Sequence, residues 1–373
     1  MTVFKNSNID VIFYYPQHFN RGIGNSNQYF EPLVNTCIKN DLSYILVEEP
    51  IAFSSSKSMK NSLAKQFYWL YIILILRKIL PLFFFTSFEA RERFFGRIIN
   101  IFSFGSYKAK NYITLSNSLG GVLRGINPEA KIFDYQHGII TSTQQGFFTK
   151  DRKAPDWIKS NNKEVLVYGK GFETIMKQTD PDYYEDKVFV IGQSSRKMQD
   201  FKIGSNILVS LQIIETENVT FEWLQTQVDL LDELFKEYST QENCSTIYLR
   251  HHPRSTKSFN LEKLYKYDFA KDFDASPDSF KIGLHITFFS TSAFEFASLG
   301  IPTLFLYNDT IPQGKNLFFE EFKYPFPEID SIEEWENKLI HDHNNDVVKI
   351  IKNWYQMFYQ EYDENEFIRL LKI

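Results

Sequence analysis

The residues predict an α/β protein of two parallel-sheet domains facing one central cleft. Three stretches carry that prediction. In the first, Ala130-Lys131-Ile132-Phe133-Asp134 runs into Tyr135-Gln136-His137-Gly138. In the second, Ile247-Tyr248-Leu249-Arg250 runs into His251-His252-Pro253-Arg254. The third runs from Leu284 to Phe289, ends in Ser290-Thr291-Ser292, and continues to Gly300-Ile301-Pro302. Each is a strand-like run that closes in polar residues. Ligands of open parallel sheets bind beyond the carboxyl ends of the strands. One such end in the first half and two in the second describe an enzyme that joins two substrates.

The elements follow in order. Ile9–Tyr15 reads as a buried strand, and a Gly-rich loop, Asn20–Asn25, follows it. Gly22 and Gly24 fit either a phosphate loop or a tight turn; the third glycine of a dinucleotide fingerprint is absent. A helix from about Gln28 to Lys39 and a strand at Tyr44–Val47 complete a strand-loop-helix-strand unit. Further strands are expected at 112–115, 131–135, 165–169 and 187–192, with a helix at 172–178. The polar run Gln193-Ser194-Ser195-Arg196-Lys197 reads as a hinge. The rhythm then restarts: strand 206–211, amphipathic helix 221–238, strands 246–250 and 284–289, helix 293–299, strand 303–307, and helices from about Ile332 onward. The first domain is thus expected over 1–190 and the second over 191–373, with the last helices packing back on the first.

Residues 62–104 stand apart. Phe67–Leu76 is apolar throughout, Arg77-Lys78 interrupts it, and Ile79–Phe85 resumes around Pro81. Two charges and a proline near the middle argue against a spanning helix, which needs about 20 mostly apolar residues. Arg91, Arg93 and Arg97 then alternate with Phe94, Phe95, Ile98 and Ile99. Such mixing describes either a segment lying on an anionic bilayer or a buried helix pair.

Bulk composition narrows the function. The 373 residues exceed what one core commonly supports. A net charge of −5 gives no electrostatic case for nucleic-acid binding. Cys37 and Cys244 are the two cysteines, far apart and in no metal-ligand spacing, which points to a reducing compartment and against a zinc site. The N-terminal residues lack signal-peptide organisation, so a cytoplasmic protein is expected. No cofactor is expected.

Chemistry concentrates at the strand ends. Ser290, Thr291 and Ser292 precede a helix, where backbone N–H groups and hydroxyls either attract phosphate or merely cap the helix. Glu295 either reaches a ribose hydroxyl or complements the helix dipole. Arg250, His252 and Arg254 flank a stiffening proline and offer donors to phosphate oxygens. His137, beside Gly138, suits proton removal from a sugar hydroxyl at neutral pH, and Asp134 is expected to orient the ring or serve as base. Gln136, Gly138, Arg21 and Thr141 form the expected acceptor side.

In these residues the chain resembles bacterial glycosyltransferases of the GT-B type that build capsule, lipopolysaccharide or teichoic-acid-like polymers. The resemblance covers roughly residues 130–307 and rests on Gln136-His137-Gly138, His252-Pro253 and Ser290-Thr291-Ser292. It implies two Rossmann-like domains facing a central cleft, no obligatory metal, and a nucleotide-sugar donor on the second domain. Relatives with cytidine-nucleotide donors imply phosphate contacts for His252 and Ser290–Ser292 and a base role for His137. The Asp-Gly motif of sialyltransferases is absent, which speaks against sialyl transfer. The donor base stays open among CMP-, CDP-, UDP- and GDP-linked sugars. The acceptor is expected to be a glycan or lipid-linked molecule, met at the inner face of the plasma membrane. Three rival readings remain. They are polyol-phosphate transfer from a CDP-linked donor, a nucleotide-sugar epimerase or hydrolase, and a non-catalytic assembly partner.

Overall fold

The structure, a computed structural model, describes residues 9–50, 60–115, 119–193, 204–213, 220–242, 244–252, 260–274, 281–327, 329–341 and 343–372. The chain divides into two compact units: Met1–Arg196 with Tyr359–Ile373, and Lys197–Phe358. Residues 194–197 of the expected hinge lie outside the described residues.

Unit 1 holds a seven-stranded sheet. Its strands are β1 (Ile9–Pro16), β2 (Tyr44–Glu49), β3 (Lys65–Gln66), β4 (Ala109–Thr114), β5 (Lys131–Tyr135), β6 (Lys163–Val167) and β7 (Val188–Val190), in the order β3-β2-β1-β4-β5-β6-β7. Every pairing is parallel. Val11 to Tyr15 of β1 are all buried. A strand covered on both faces needs such an unbroken apolar run. The helices of this unit that position the site are α1 (Glu31–Lys39), α2 (Trp69–Ile79), α3 (Phe88–Phe102), α4 (Gly120–Ile126) and α5 (Lys170–Thr179).

Helices α3 and α4 cross unusually closely. A side-chain carbon on Gly96 would collide with the Val122 carbonyl, and one on Gly125 with the Arg93 carbonyl. Only glycine lets two backbones approach this far. The buried side of the pair, Phe95, Ile99, Val122, Leu123 and Ile126, joins the core beneath β1 and β4.

Residues 62–104 are therefore a packed helix pair with one exposed face. Leu70 and Ile73 of α2 are buried, whereas Ile72, Leu74 and Ile75 are exposed. No helix among the described residues is long and apolar enough to cross a membrane. One basic residue does not lie on the expected face. Arg91 is buried, with its Nε 3.6 Å from Glu92 and its guanidinium 5.1 Å from the Phe88 ring centroid. The Gly-rich loop is a tight turn: Gly22 donates to Ser26 O, Asn25 donates back to Gly22 O, and Gly24 has φ 68°.

Unit 2 holds a five-stranded, wholly parallel sheet: β8 (Asn206–Ser210), β9 (Ile247–Arg250), β10 (Ala270–Asp272), β11 (Ile282–Thr287) and β12 (Thr303–Phe305). Helix α6 (Phe221–Tyr238) is capped by Thr220, whose hydroxyl accepts from Trp223 N–H at 3.2 Å. Leu224, Val228, Leu231 and Phe235 turn one apolar side to the core at three- and four-residue spacing. Helix α7 (Ser292–Leu299) stops at Gly300, whose φ of 81° provides the left-handed cap. Helices α8 (Ile332–His341) and α9 (His343–Phe358) follow within unit 2. The chain then re-enters unit 1, where Gln193 N–H donates to Gln360 O at 2.9 Å and α10 (Glu364–Lys372) packs by α1. Lys131 and Asn111 donate to the Leu370 and Leu371 carbonyls, which close this helix end.

Candidate active site

The second sheet runs β10-β9-β8-β11-β12, so its order reverses between β8 and β11. The crevice at such a reversal is where open α/β sheets hold ligands. Ser210, Arg250 and Thr287 are the last residues of β8, β9 and β11. Arg250 Nη2 donates to Ser210 Oγ at 2.9 Å. His285 Nε2 lies 2.9 Å from the same hydroxyl, and its Nδ1 lies 3.1 Å from Thr303 Oγ1. Ser292 Oγ donates to Ser290 Oγ at 2.8 Å and stands 3.3 Å from both Ser210 Oγ and His285 Nε2. Gln212 Oε1 accepts from Phe289 N–H at 2.7 Å, fixing the loop that leads to Ser290.

His285 is fully buried, its ring stacked on Phe296 at 4.2 Å between centroids. Burial, and secondarily the Arg250 charge, push its pKa well below the ordinary histidine value. The ring is therefore neutral at neutral pH and serves as a hydrogen-bonding post for the serines. The Arg250 guanidinium lies 5.5 Å from the Phe296 ring centroid and 4.0 Å from the Glu295 carboxylate. Burial lowers its pKa, and Glu295 works in the opposite direction.

The expected donor-side residues are thus placed differently. Arg250, Ser290, Ser292 and Glu295 come together at the switch point. Thr291 is exposed at the start of α7 and makes no side-chain cap; Ser290 Oγ instead accepts from Ser292 N–H at 3.2 Å. His252 is half-buried just past β9, while His251 turns to Asp272, 3.3 Å away. Pro253 and Arg254 lie outside the described residues.

In unit 1, His137 follows β5. Its ring meets Phe19 edge-on at 4.9 Å, and Phe19 packs on His18 at 4.4 Å. Nδ1 of His137 is buried with no hydrogen-bond partner among the described residues. Asp134 does not orient it. That carboxylate is buried in β5, and its charge acts on the buried Lys163 ammonium. Gln136 is also committed elsewhere: Nε2 donates to Gly138 O at 2.6 Å and Oε1 accepts from Tyr168 N–H at 2.8 Å. It clamps the His137 loop to the end of β6. Gly138 is exposed, and a side-chain carbon there would meet no atom within 4 Å. Thr141 sits in the next turn, its hydroxyl 3.4 Å from that of Thr143.

Arg21 is exposed near His18, whose pKa is lowered by burial first and the Arg21 charge next, against the pull of Glu49. The hydroxyl of Tyr14 donates to Glu49 at 2.5 Å. Beneath this loop the fully buried Glu48 accepts from Gln66 at 2.6 Å, Asn61 N–H at 3.1 Å, and Asn20. His18, Glu49, Ser210 and His285 lie beside the candidate residues and were not singled out in the sequence. His18 carried the same strand-end signal as His137, and His285 stood as a polar residue within an apolar strand, where burial demands partners.

No family model matches the chain, and no curated protein matches it. Solved structures match over nearly its whole length. WaaB, a lipopolysaccharide outer core galactosyltransferase in its apo form, aligns with a TM-score of 0.52 and 10% identity, covering 96% of this chain and 98% of that one. A variant of the wall teichoic acid polymerase TagF aligns at 0.50 with 13% identity, covering 98% and 88%. Os79 from O. sativa, solved with UDP and deoxynivalenol-3-glucoside, aligns at 0.51 with 10% identity, covering 96% and 99%. At these identities the likeness is one of fold, and that fold is GT-B: α/β, with two parallel sheets.

Proposed function

We propose that the chain is a nucleotide-sugar-dependent glycosyltransferase that extends a surface glycan or a lipid-linked acceptor. The observation that carries this reading is the cluster at the β8–β11 switch point. Three serine hydroxyls, one guanidinium and the start of α7 converge there around a neutral, buried histidine. Such a set of fixed donors suits the phosphates of a nucleotide. The GT-B fold, and the UDP held by Os79, support the same assignment.

In this reading Arg250, His252, Arg254, Ser290, Thr291 and Ser292 hold the donor phosphates, and Glu295 reaches the ribose. His137 takes the proton from the acceptor hydroxyl. The acceptor oxygen bonds to the anomeric carbon as the bond from that carbon to the donor phosphate breaks, inverting the centre. The nucleotide leaves with the electron pair, and fixed positive charge and hydroxyl donors stabilise it without a metal.

The reading extends to location, at the inner face of the plasma membrane. Among the described residues, fourteen of the twenty-one exposed large apolar side chains fall between Leu63 and Phe104. Apolar exposure this concentrated marks a binding face, and basic residues beside it suit an anionic bilayer.

A thermal-shift screen of the protein with cytidine, uridine, guanosine and thymidine nucleotides tests the donor assignment. Binding to the native state raises its stability by mass action. A shift with one base that disappears in Arg250→Ala is expected. No shift with any nucleotide, in protein that melts cooperatively, would overturn the reading. Product analysis then separates sugar transfer from polyol-phosphate transfer, since phosphate stays in the new linkage only in the latter.

A further inference from the structure

We propose that Arg93, Arg97 and Arg124 form a pocket for the phosphate of an anionic membrane lipid, beside the exposed apolar face of α2 and α3. The proposal rests on the membrane location inferred above and names the partner at that face. The pocket is open, with a volume of about 380 Å³, and no aspartate or glutamate lines it.

The close crossing of α3 and α4 builds it. Gly96 and Gly125 bring the two backbones together, which sets Arg93 and Arg97 of α3 beside Arg124 of α4. Two of the three guanidinium groups are fixed in place. Arg124 donates to Pro128 O at 2.8 Å, to Ala130 O at 2.5 Å and twice to Asn161 O, at 3.1 and 2.5 Å. Arg93 donates to Asn161 Oδ1 at 3.3 Å and to Ser160 O. All these acceptors are neutral, so the charges persist. Arg97 is exposed and has no hydrogen-bond or ion-pair partner among the described residues.

Two acids interact electrostatically with this group, the buried Glu89 with Arg93 and Glu129 with Arg124. Neither lines the pocket. Burial and then the Arg93 charge lower the Arg124 pKa, as expected of like charges held together. Arg97 keeps a planar guanidinium fork that matches phosphate oxygens in pairs, which lysine cannot do, while Arg93 and Arg124, engaged with protein oxygens, add fixed charge.

The neighbours identify a lipid as the source of that phosphate. Phe94 and Ile101, both exposed, lie three residues before and four after Arg97 and share its side of α3. Phe102 at the end of the helix and Phe104 just past it, both more than half exposed, continue the apolar surface. A phosphate seated on the arginines would therefore sit at the rim of an apolar surface, as a headgroup does beneath its acyl chains. Basic pockets between helices bind lipid headgroups in this way.

Flotation with two vesicle types tests the proposal. Both are phosphatidylcholine, one carrying phosphatidate and the other oleate, matched in surface charge and read at constant ionic strength. The pocket predicts binding to phosphatidate vesicles about tenfold tighter than to oleate vesicles. In Arg97→Gln that ratio is expected to fall close to one. Lys108→Gln, an exposed charge outside the pocket, should weaken both vesicle types alike and leave the ratio unchanged. Equal binding of wild-type protein to both vesicles would overturn the pocket while the membrane location stands. Failure to bind either would overturn both. Free inorganic phosphate that protects against melting through Arg97, with no vesicle binding, would overturn the lipid source. The nucleotide screen reads the transferase assignment separately.

Discussion

The two sheets end differently. At the end of the second, Arg250, Ser210, His285, Ser292 and Ser290 form one hydrogen-bonded chain anchored in the interior. At the end of the first, His137 is held by ring packing on Phe19, and its Nδ1 has no hydrogen-bond partner among the described residues. The contrast fits two tasks. Stabilising charge on a departing phosphate needs donors fixed beforehand, so that no reorganisation is required as charge develops. A general base needs a nitrogen within reach of the acceptor hydroxyl; with Nδ1 buried, that nitrogen would be Nε2. In the proposed reading the rigid end binds the donor, and the less committed end takes the proton.

The strongest way to break this comparison is His137→Ala. Turnover should fall by about 10²- to 10⁴-fold, the usual contribution of a general base, while the nucleotide thermal shift survives. Near-normal turnover in a steady-state assay would remove His137 from the chemistry. Arg250→Ala should do the reverse. Loss of a charge-assisted hydrogen bond is expected to raise the donor KM by about tenfold to a hundredfold, with the effect of acceptor concentration unchanged. A variant that lowered kcat alone would place Arg250 in the transition state only.

A third test probes the buried post. The folded-state pKa of His285 lies well below its ordinary value of 6.5. Between those two values the unfolded chain binds a proton that the native protein does not, so stability falls as pH drops below 6.5. The slope should be about 1.4 kcal/mol per pH unit. His285→Asn should be less stable at neutral pH yet lose that part of the slope, as read from melting curves between neutral and mildly acidic pH. An unchanged slope would assign the effect to other groups. The smallest effect is expected from Gly138→Ala. Its backbone needs no glycine and the space beside it is open, so stability should stay within about 0.5 kcal/mol. A large loss of acceptor affinity without loss of stability would show that substrate approaches this point.

What the sequence revealed, and what it hid, follows from how many residues carry each signal. Long apolar runs marked β1, β5, β8 and β11, and α6 spans the expected Phe221–Tyr238. Strands β3 and β10, of two and three residues at sheet edges, are too short to show a period. Ser290–Ser292 was legible because a polar triplet interrupts two apolar stretches. Ser210 and His285 were not, because each is one polar residue at or within a buried strand, and its partners lie on other strands. Arg91 and Arg97 looked alike in sequence. Six residues apart, they point about 240° around the helix from one another; one is buried beside Glu92 and the other is exposed. Asp134 looked adjacent to His137, but it is buried in β5 and its charge acts on Lys163, a residue of β6.

The return of the chain to unit 1 at Tyr359 has a consequence for synthesis. Helix α10, with Phe367 and Leu370 buried, belongs to the unit whose strands precede unit 2 in the chain. At about 5–20 residues per second, all of unit 2 leaves the ribosome before that helix does, a delay on the order of ten to thirty seconds. Throughout that delay Asn111 and Lys131 lack the carbonyls that later receive them. Unit 1 can thus be completed only after unit 2 has been synthesised.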